Sequence, residues 1–189
     1  MSPTAAERGR EVRRKLLDAA VALIAERGWT AVSTRVVAER AGVAPGLVHY
    51  HFSSVQALLS EAAVGAMREV GAVLEPTLAA ATTPTAAMTA LASALDPYTG
   101  DDPTSVLFTE TYLAATRDPS LRAAVAEVIT EFRARLAEWL GAHGVAAPEA
   151  TAAVVGAAID GLVLQRALDP TLSAETVAPV LTRLLGEQV

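Results

Sequence analysis

Residues 33–52 read STRVVAERAGVAPGLVHYHF, and two short helices joined by a tight turn account for their order. Ser33 or Thr34 offers a side-chain oxygen to the amides that open a first helix at about 34–40. Gly42 can take the left-handed conformation that ends it. Pro45 suits the first turn of a second helix at about 45–51, where its missing N–H costs nothing. Val37, Ala38, Ala41, Val43, Val48 and Phe52 supply a shared apolar interior. Two short helices linked by a glycine-containing turn have the form of a helix-turn-helix.

The second helix can be oriented at about 100° per residue. With Val48 inward, Phe52 lies only about 40° away. Gly46, Leu47 and Tyr50 then face outward, His49 lies on the flank and His51 turns nearer the core. An outward Gly46 lets backbone approach a surface closely. An outward Leu47 suits a thymine methyl, and Tyr50 can give its hydroxyl to a phosphate. Thr34 and Arg35 open the first helix, where free amides also favour phosphate. The spacing therefore predicts a reader of the DNA major groove. An ordinary helical hairpin with an exposed Leu and Tyr fits the same spacing. A metal site from His49 and His51 does not, because positions two apart on a helix point about 200° away from each other.

Working outward, Val12, Leu16, Ala19, Ala20, Leu23 and Ile24 recur at helical spacing, predicting a helix at about 9–27 that Gly28 stops. A longer helix starts near Ser54 and runs to Leu74 or beyond. Pro76, Pro84, Pro97, Pro103, Pro119, Pro148 and Pro170 then punctuate the chain. Between them lie helical patterns at about 84–95, 104–116, 120–142, 149–168 and 173–186. No stretch alternates at period two. The reading is an all-α chain of about nine helices, with a three-helix helix-turn-helix domain at 1–55 and a helical domain at 56–189.

Composition narrows the function classes. The 189 residues include no cysteine, so there is no disulfide framework and no thiolate metal site. The opening MSPTAAERGREVRRK is charged and lacks the apolar run of a secretory signal. Mean hydropathy is positive, but the long uncharged stretches at 41–60 and 76–95 are broken by Pro, Gly, His, Ser and Thr. Alanine carries the hydropathy, and alanine favours helix. A cytoplasmic protein with no membrane partner is expected. The formal charge is −6, unevenly spread: residues 1–55 hold eight Lys/Arg against five acids, and residues 56–189 hold seven against sixteen. A basic head on an acidic body is what selective contact with a polyanion requires, although Arg8 to Lys15 also reads as a solvated helix face.

The segment from Arg10 through Leu59 resembles the DNA-binding domain of the tetracycline-repressor (TetR) family of transcriptional regulators. The likeness is carried by LLDAAVALIAERGW (16–29), STRVVAERAGVAPGLVHYHF (33–52) and SSVQALL (53–59). It implies a homodimer on a palindromic double-stranded DNA operator, with Thr34, Arg35, Pro45, Gly46, Leu47, His49 and Tyr50 facing DNA. Ala44 stands where members often carry Ser, Val55 where they often carry Lys, and His49 where Tyr is frequent. The missing lysine removes a phosphate anchor, which makes the arginines at 8–14 the expected replacement.

In the body, Leu121, Val125, Val128, Phe132, Leu136 and Trp139 make one apolar stripe, with Glu131 and Arg135 placed to pair across a turn. The 149–168 helix is apolar on nearly every face and is expected to be buried. Its Ala153, Ala157 and Gly161 form a flat strip for close helix approach. These two helices resemble the family's dimerisation pair, making Val125, Val128, Ala153, Ala157 and Gly161 the interface candidates. Asp160 then reads as a polar group satisfied at that interface, or as a ligand contact. Met67, Met88, Leu91, Phe108, Tyr112 and Phe132 are large inward residues that would line an effector pocket; plain hydrophobic core accounts for each of them as well. Few polar groups converge there beyond Tyr112, Thr109 and Glu110, so a mostly apolar small-molecule effector is expected.

The leading expectation is a ligand-responsive repressor, helical in its sensing and dimerising body. A helical dimeric regulator or interaction module without an effector is the alternative. An enzyme or carrier is disfavoured, because no nucleophile–base pair, phosphate loop or metal spacing occurs, and His143 at a helix end reads as a cap. No catalytic residue, cofactor or metal is expected.

Overall fold

Hydrogen-bonding side chains and prolines mark the helix starts. The computed structural model describes residues 4–185 and contains nine α-helices and no strand among them. Thr4 and Glu7 form a capping box that opens α1 (Ala5–Arg27) four residues before the expected start, because each satisfies the other's free amide. Ser33 caps α2 (Thr34–Ala41), and Pro45 opens α3 (Pro45–His51). The Ser54 hydroxyl accepts the Ala57 amide at 3.0 Å and starts α4 (Val55–Ala80). Thr83 caps α5 (Pro84–Ala94). Prolines also begin α6 (Pro103–Ala115), α7 (Pro119–Ala142) and α8 (Pro148–Arg166). Ser173 caps α9 (Ala174–Arg183). Proline fits a first turn because that amide has no partner inside the helix.

Pro76 departs from its expected role as a break, for it lies inside α4. The carbonyl it frees belongs to Ala72, and both residues are exposed, so water can satisfy that oxygen. Pro179 likewise lies inside α9. The last expected helix reaches about 186, a residue that lies outside the described ones.

The chain falls into two compact units. The first comprises the stretch up to Met67 together with Val106–Arg122. Here α1 packs on α2 and α3, around fully buried Leu16, Leu23, Ile24, Val37, Val48, Leu58 and Leu59. Trp29 sits in a 3-10 turn (Trp29–Ala31) after α1, with its indole N–H donated to Gln56 Oε1 at 2.9 Å. The second unit comprises Arg68–Ser105 and the stretch from Ala123 onward. Its core gathers Met88, Leu91, Leu136, Leu140, Val155 and Leu181, with α5 against α9. Arg166, only 7% exposed, donates to the Leu172 carbonyl at 2.5 Å and to those of Leu95 and Tyr98. One guanidinium thus satisfies three loop carbonyls.

Two expectations for this unit are corrected. Glu131 and Arg135 do not pair with each other. Arg135 meets Glu75 at 3.2 Å and Glu131 meets Arg68 at 3.9 Å, so both reach across to α4. An exposed pair within one helix contributes little, and tertiary contact redirects it. Nor is α8 buried all round. Ala152, Val155, Gly156 and Ile159 are buried, whereas Val154 and Leu164 are more than half exposed.

Candidate nucleic-acid interface

The turn between α2 and α3 is built by local hydrogen bonds. Gly42 takes φ 67 and ψ 35, the left-handed region. Its amide donates to Glu39 at 3.2 Å, and the Val43 amide donates to Ala38 at 3.0 Å, so the last carbonyls of α2 are satisfied. Ala44 has no side chain to cap α3, and its carbonyl accepts the Leu47 amide at 2.9 Å instead. Val48 is fully buried and Phe52 nearly so, which fixes the rotation of α3.

That rotation leaves Pro45, Gly46, His49 and Tyr50 exposed, Tyr50 at 80%. Leu47 is half-buried rather than fully outward, and His51 is half-buried. The Tyr50 and His51 rings meet edge to face at 5.0 Å. A Cβ built on Gly46 would meet nothing within 4 Å. The surface above Gly46 is therefore open, as a close backbone approach demands. On α2, Arg35 is exposed and Thr34 half-buried.

The charge of the head is mostly internal. Arg13 pairs with Glu61 at 2.6 Å and lies over the Phe52 ring at 4.8 Å. Arg14 pairs with Glu11 and Asp18, both at 2.9 Å, and Lys15 with Glu11 at 3.7 Å. Arg40 pairs with Glu26. The hydrogen bonds from Arg14 and Arg40 hold the Glu11 and Glu26 carboxyls below the usual carboxylate range. Among the described residues, Arg10 and Arg35 have no such partner. Of the arginines expected to replace a phosphate anchor at Val55, Arg13 and Arg14 are thus occupied within the protein.

The effector candidates divide between the units. Met67, Phe108 and Tyr112 fall in the first, and Met88, Leu91 and Phe132 in the second. Met88 and Leu91 are enclosed in the core, at 0% and 1% exposure, and Phe132 packs against that core. Phe108 and Tyr112 are half-buried, one turn apart on α6. Of the interface candidates, Val125 and Val128 are buried within the protomer, while Ala157 is exposed and Ala153 and Gly161 are partly so. Asp160 is exposed on the same side of α8. His143 stacks on Trp139 at 3.8 Å, with its Nδ1 2.8 Å from the Trp139 carbonyl oxygen. Among the described residues, no three metal-ligating side chains cluster and no helix is long and apolar enough to cross a membrane.

Among the contacts that sequence reasoning left unread, the carboxylate of Glu110 accepts the backbone N–H of Trp29 at 2.7 Å. No local signal could have found it, because the two residues are 81 positions apart.

Comparison with known proteins gives two family matches. Residues 16–62 match the bacterial regulatory proteins of the tetR family, and residues 82–187 match the tetracyclin repressor-like C-terminal domain. The transcriptional regulator BetI of Brucella canis is 36% identical over 72 residues, which are 38% of this chain and 36% of that one. The chain thus matches about a third of that relative's length. Among solved structures, the candidate transcriptional regulator SCO7518 of Streptomyces coelicolor A3(2) is 32% identical, with a TM-score of 0.80 over 93% of this chain and 99% of that one. The multidrug binding protein EbrR, solved with imidazole, is also 32% identical, with a TM-score of 0.73 over 94% of this chain and 96% of that one.

Proposed function

The chain belongs to the tetracycline-repressor family of transcriptional regulators, and on that premise we propose that it binds a palindromic operator as a homodimer and is released by a small, mostly apolar effector. Its relatives are regulators and not enzymes. The observation that carries the DNA reading is the outward face of α3: open space above Gly46 beside exposed Pro45, His49 and Tyr50. Leu47 flanks that face, and Arg35 with Thr34 at the start of α2 supplies phosphate contacts. Such work belongs in the cytoplasm, where the DNA is.

A homodimer is supported by the apolar side of α8 that the protomer leaves open. Val154, Ala157, Gly161 and Leu164 occupy it, and a Cβ on Gly161 would meet nothing within 4 Å. Two heads set about 34–36 Å apart would reach successive major grooves. An effector that favours another spacing weakens DNA binding, and DNA weakens effector binding by the same factor. EbrR has been solved with imidazole and with malachite green, which supports a small-molecule effector here. Phe108 and Tyr112 on α6 are the contacts we favour in the first unit, together with Met67 on α4.

The test is a mobility-shift assay on the DNA flanking the protein's own gene, for the wild type and Tyr50→Ala. Salt-sensitive, sequence-selective retardation that Tyr50→Ala abolishes is the expected result; no selective retardation at any salt sinks the reading. A thermal-shift screen addresses the effector. A molecule present at about 100 times its Kd stabilises by about 2.7 kcal/mol, and a regulator without an effector responds to none.

A further inference from the structure

Glu110 projects from α6 onto the joint that follows α1. Its carboxylate accepts the Trp29 backbone N–H at 2.7 Å. That amide opens the 3-10 turn, so no carbonyl of its own turn is within reach. A carboxylate acceptor makes the bond charge-assisted, the stronger class of hydrogen bond. Gly28 permits the approach. It sits at φ 79 and ψ 157, a region open essentially to glycine alone. A Cβ there would also stand 3.3 Å from Glu110 Oε2. The Trp29 ring is 7% exposed, and its N–H reaches Gln56 in the first turn of α4 at 2.9 Å. One joint therefore gathers the end of α1, the start of α4 and the middle of α6. All three lie in the unit that holds the helix-turn-helix, because Val106–Arg122 is grouped with it.

We propose that Glu110 is a positioning residue for DNA binding: its bond to the Trp29 amide holds the joint from which α1 and α4 set the orientation of α3. The inference rests on the DNA-binding reading above. α1 packs directly on α2 and α3, and α4 follows α3 after a short link. A slack joint lets α3 sample unproductive orientations, and apparent affinity falls with the fraction that is competent. Phe108 and Tyr112, two positions to either side of Glu110 on α6, point away from this bond, so the role of Glu110 does not depend on an effector engaging them.

The experiment compares wild type, Glu110→Ala, Glu110→Gln and Glu127→Ala. The probe is a 30-base-pair duplex that the wild type selects from a random pool, followed by fluorescence anisotropy. Charge alone predicts equal or tighter binding for any variant that loses an acid. The proposal predicts the opposite for Glu110→Ala, a loss of tenfold or more. Glu110→Gln keeps an oxygen acceptor and loses threefold or less. Glu127→Ala, which removes one of the two carboxylates that meet Arg68, stays within twofold. Without DNA, amide exchange followed by NMR should speed at Trp29 at least tenfold in Glu110→Ala while Leu16 stays protected. Affinity within twofold of wild type overturns the proposal even if exchange quickens, for the bond is then structural only. Lost affinity with unchanged Trp29 exchange overturns it too, since the route is wrong. Should Glu110→Ala fail to fold, Glu110→Asp, which keeps the charge but shortens the reach, is read by the same two measures. A wild type that selects no duplex refutes the DNA reading itself, and this role with it, while the exchange result still reports on the bond.

Discussion

Gly46 offers a test that separates folding from the proposed recognition of DNA. Nothing lies within 4 Å of the position where a Cβ would stand. Gly46→Ala should leave stability unchanged or raise it by up to about 1 kcal/mol, as alanine is the better helix former. Chemical denaturation measures that, and anisotropy on operator DNA should show at least a tenfold loss of affinity. Equal affinity would remove Gly46 from the interface. Asp102 gives a residue-level prediction of the second unit. Burial works against its ionisation, yet hydrogen bonds from the Ser105 hydroxyl and from the Ser105, Thr99 and Thr104 amides outweigh it and hold its pKa below the ordinary value. A carboxyl lowered on folding stabilises above its unfolded pKa of about 3.9 and loses that contribution as pH falls through the folded value. Asp102→Asn should therefore shift the urea midpoint down at pH 7, and the gap to wild type should narrow as pH falls below the unfolded pKa of about 3.9. Outward Gly46 and Tyr50 were legible from a wheel, because one buried valine fixes a seven-residue helix. The caps at Ser33, Thr83 and Ser173 were open to the same local reading. The bond at Trp29 was not.

Among the elements, α8 shows where composition misleads. Its apolar residues go all the way round, yet the protomer covers one side. A helix apolar on both sides needs a second neighbour, and a second copy of the chain fits that need. Leu164→Glu should convert dimer to monomer in sedimentation velocity while helical content persists, since an exposed substitution changes protomer stability by only about 0.5 kcal/mol. A stable dimer in that variant moves the interface elsewhere. Prolines were legible as helix boundaries at Pro45, Pro84, Pro103, Pro119 and Pro148. Pro76 was not, because whether a freed carbonyl meets water depends on which side of α4 faces out.

For the whole molecule, the contrast between basic head and acidic body stands, but its use changes. Eight cations look like a wide phosphate-binding surface until Arg13, Arg14, Lys15 and Arg40 are found paired with acids of the same unit. Arg8 is engaged within the protein as well and Arg27 interacts with Glu26, so Arg10 and Arg35 are the main charges left for DNA, about four in the proposed dimer, and log K should fall with log salt at a slope of about −4. Arg35→Ala should reduce that slope by about 2 and weaken binding on all sequences alike. An unchanged slope would return the contacts to the paired arginines. The amino-acid sequence by itself determined the helices, their caps, the helix-turn-helix and which side of α3 faces out, since each depends on residues within a turn or two of one another. The tertiary structure alone decided which charges are spent, which side of α8 stays open and that Glu110 reaches Trp29. Those outcomes depend on which segments come within a few ångströms of each other, and spacing along the chain carries no record of that.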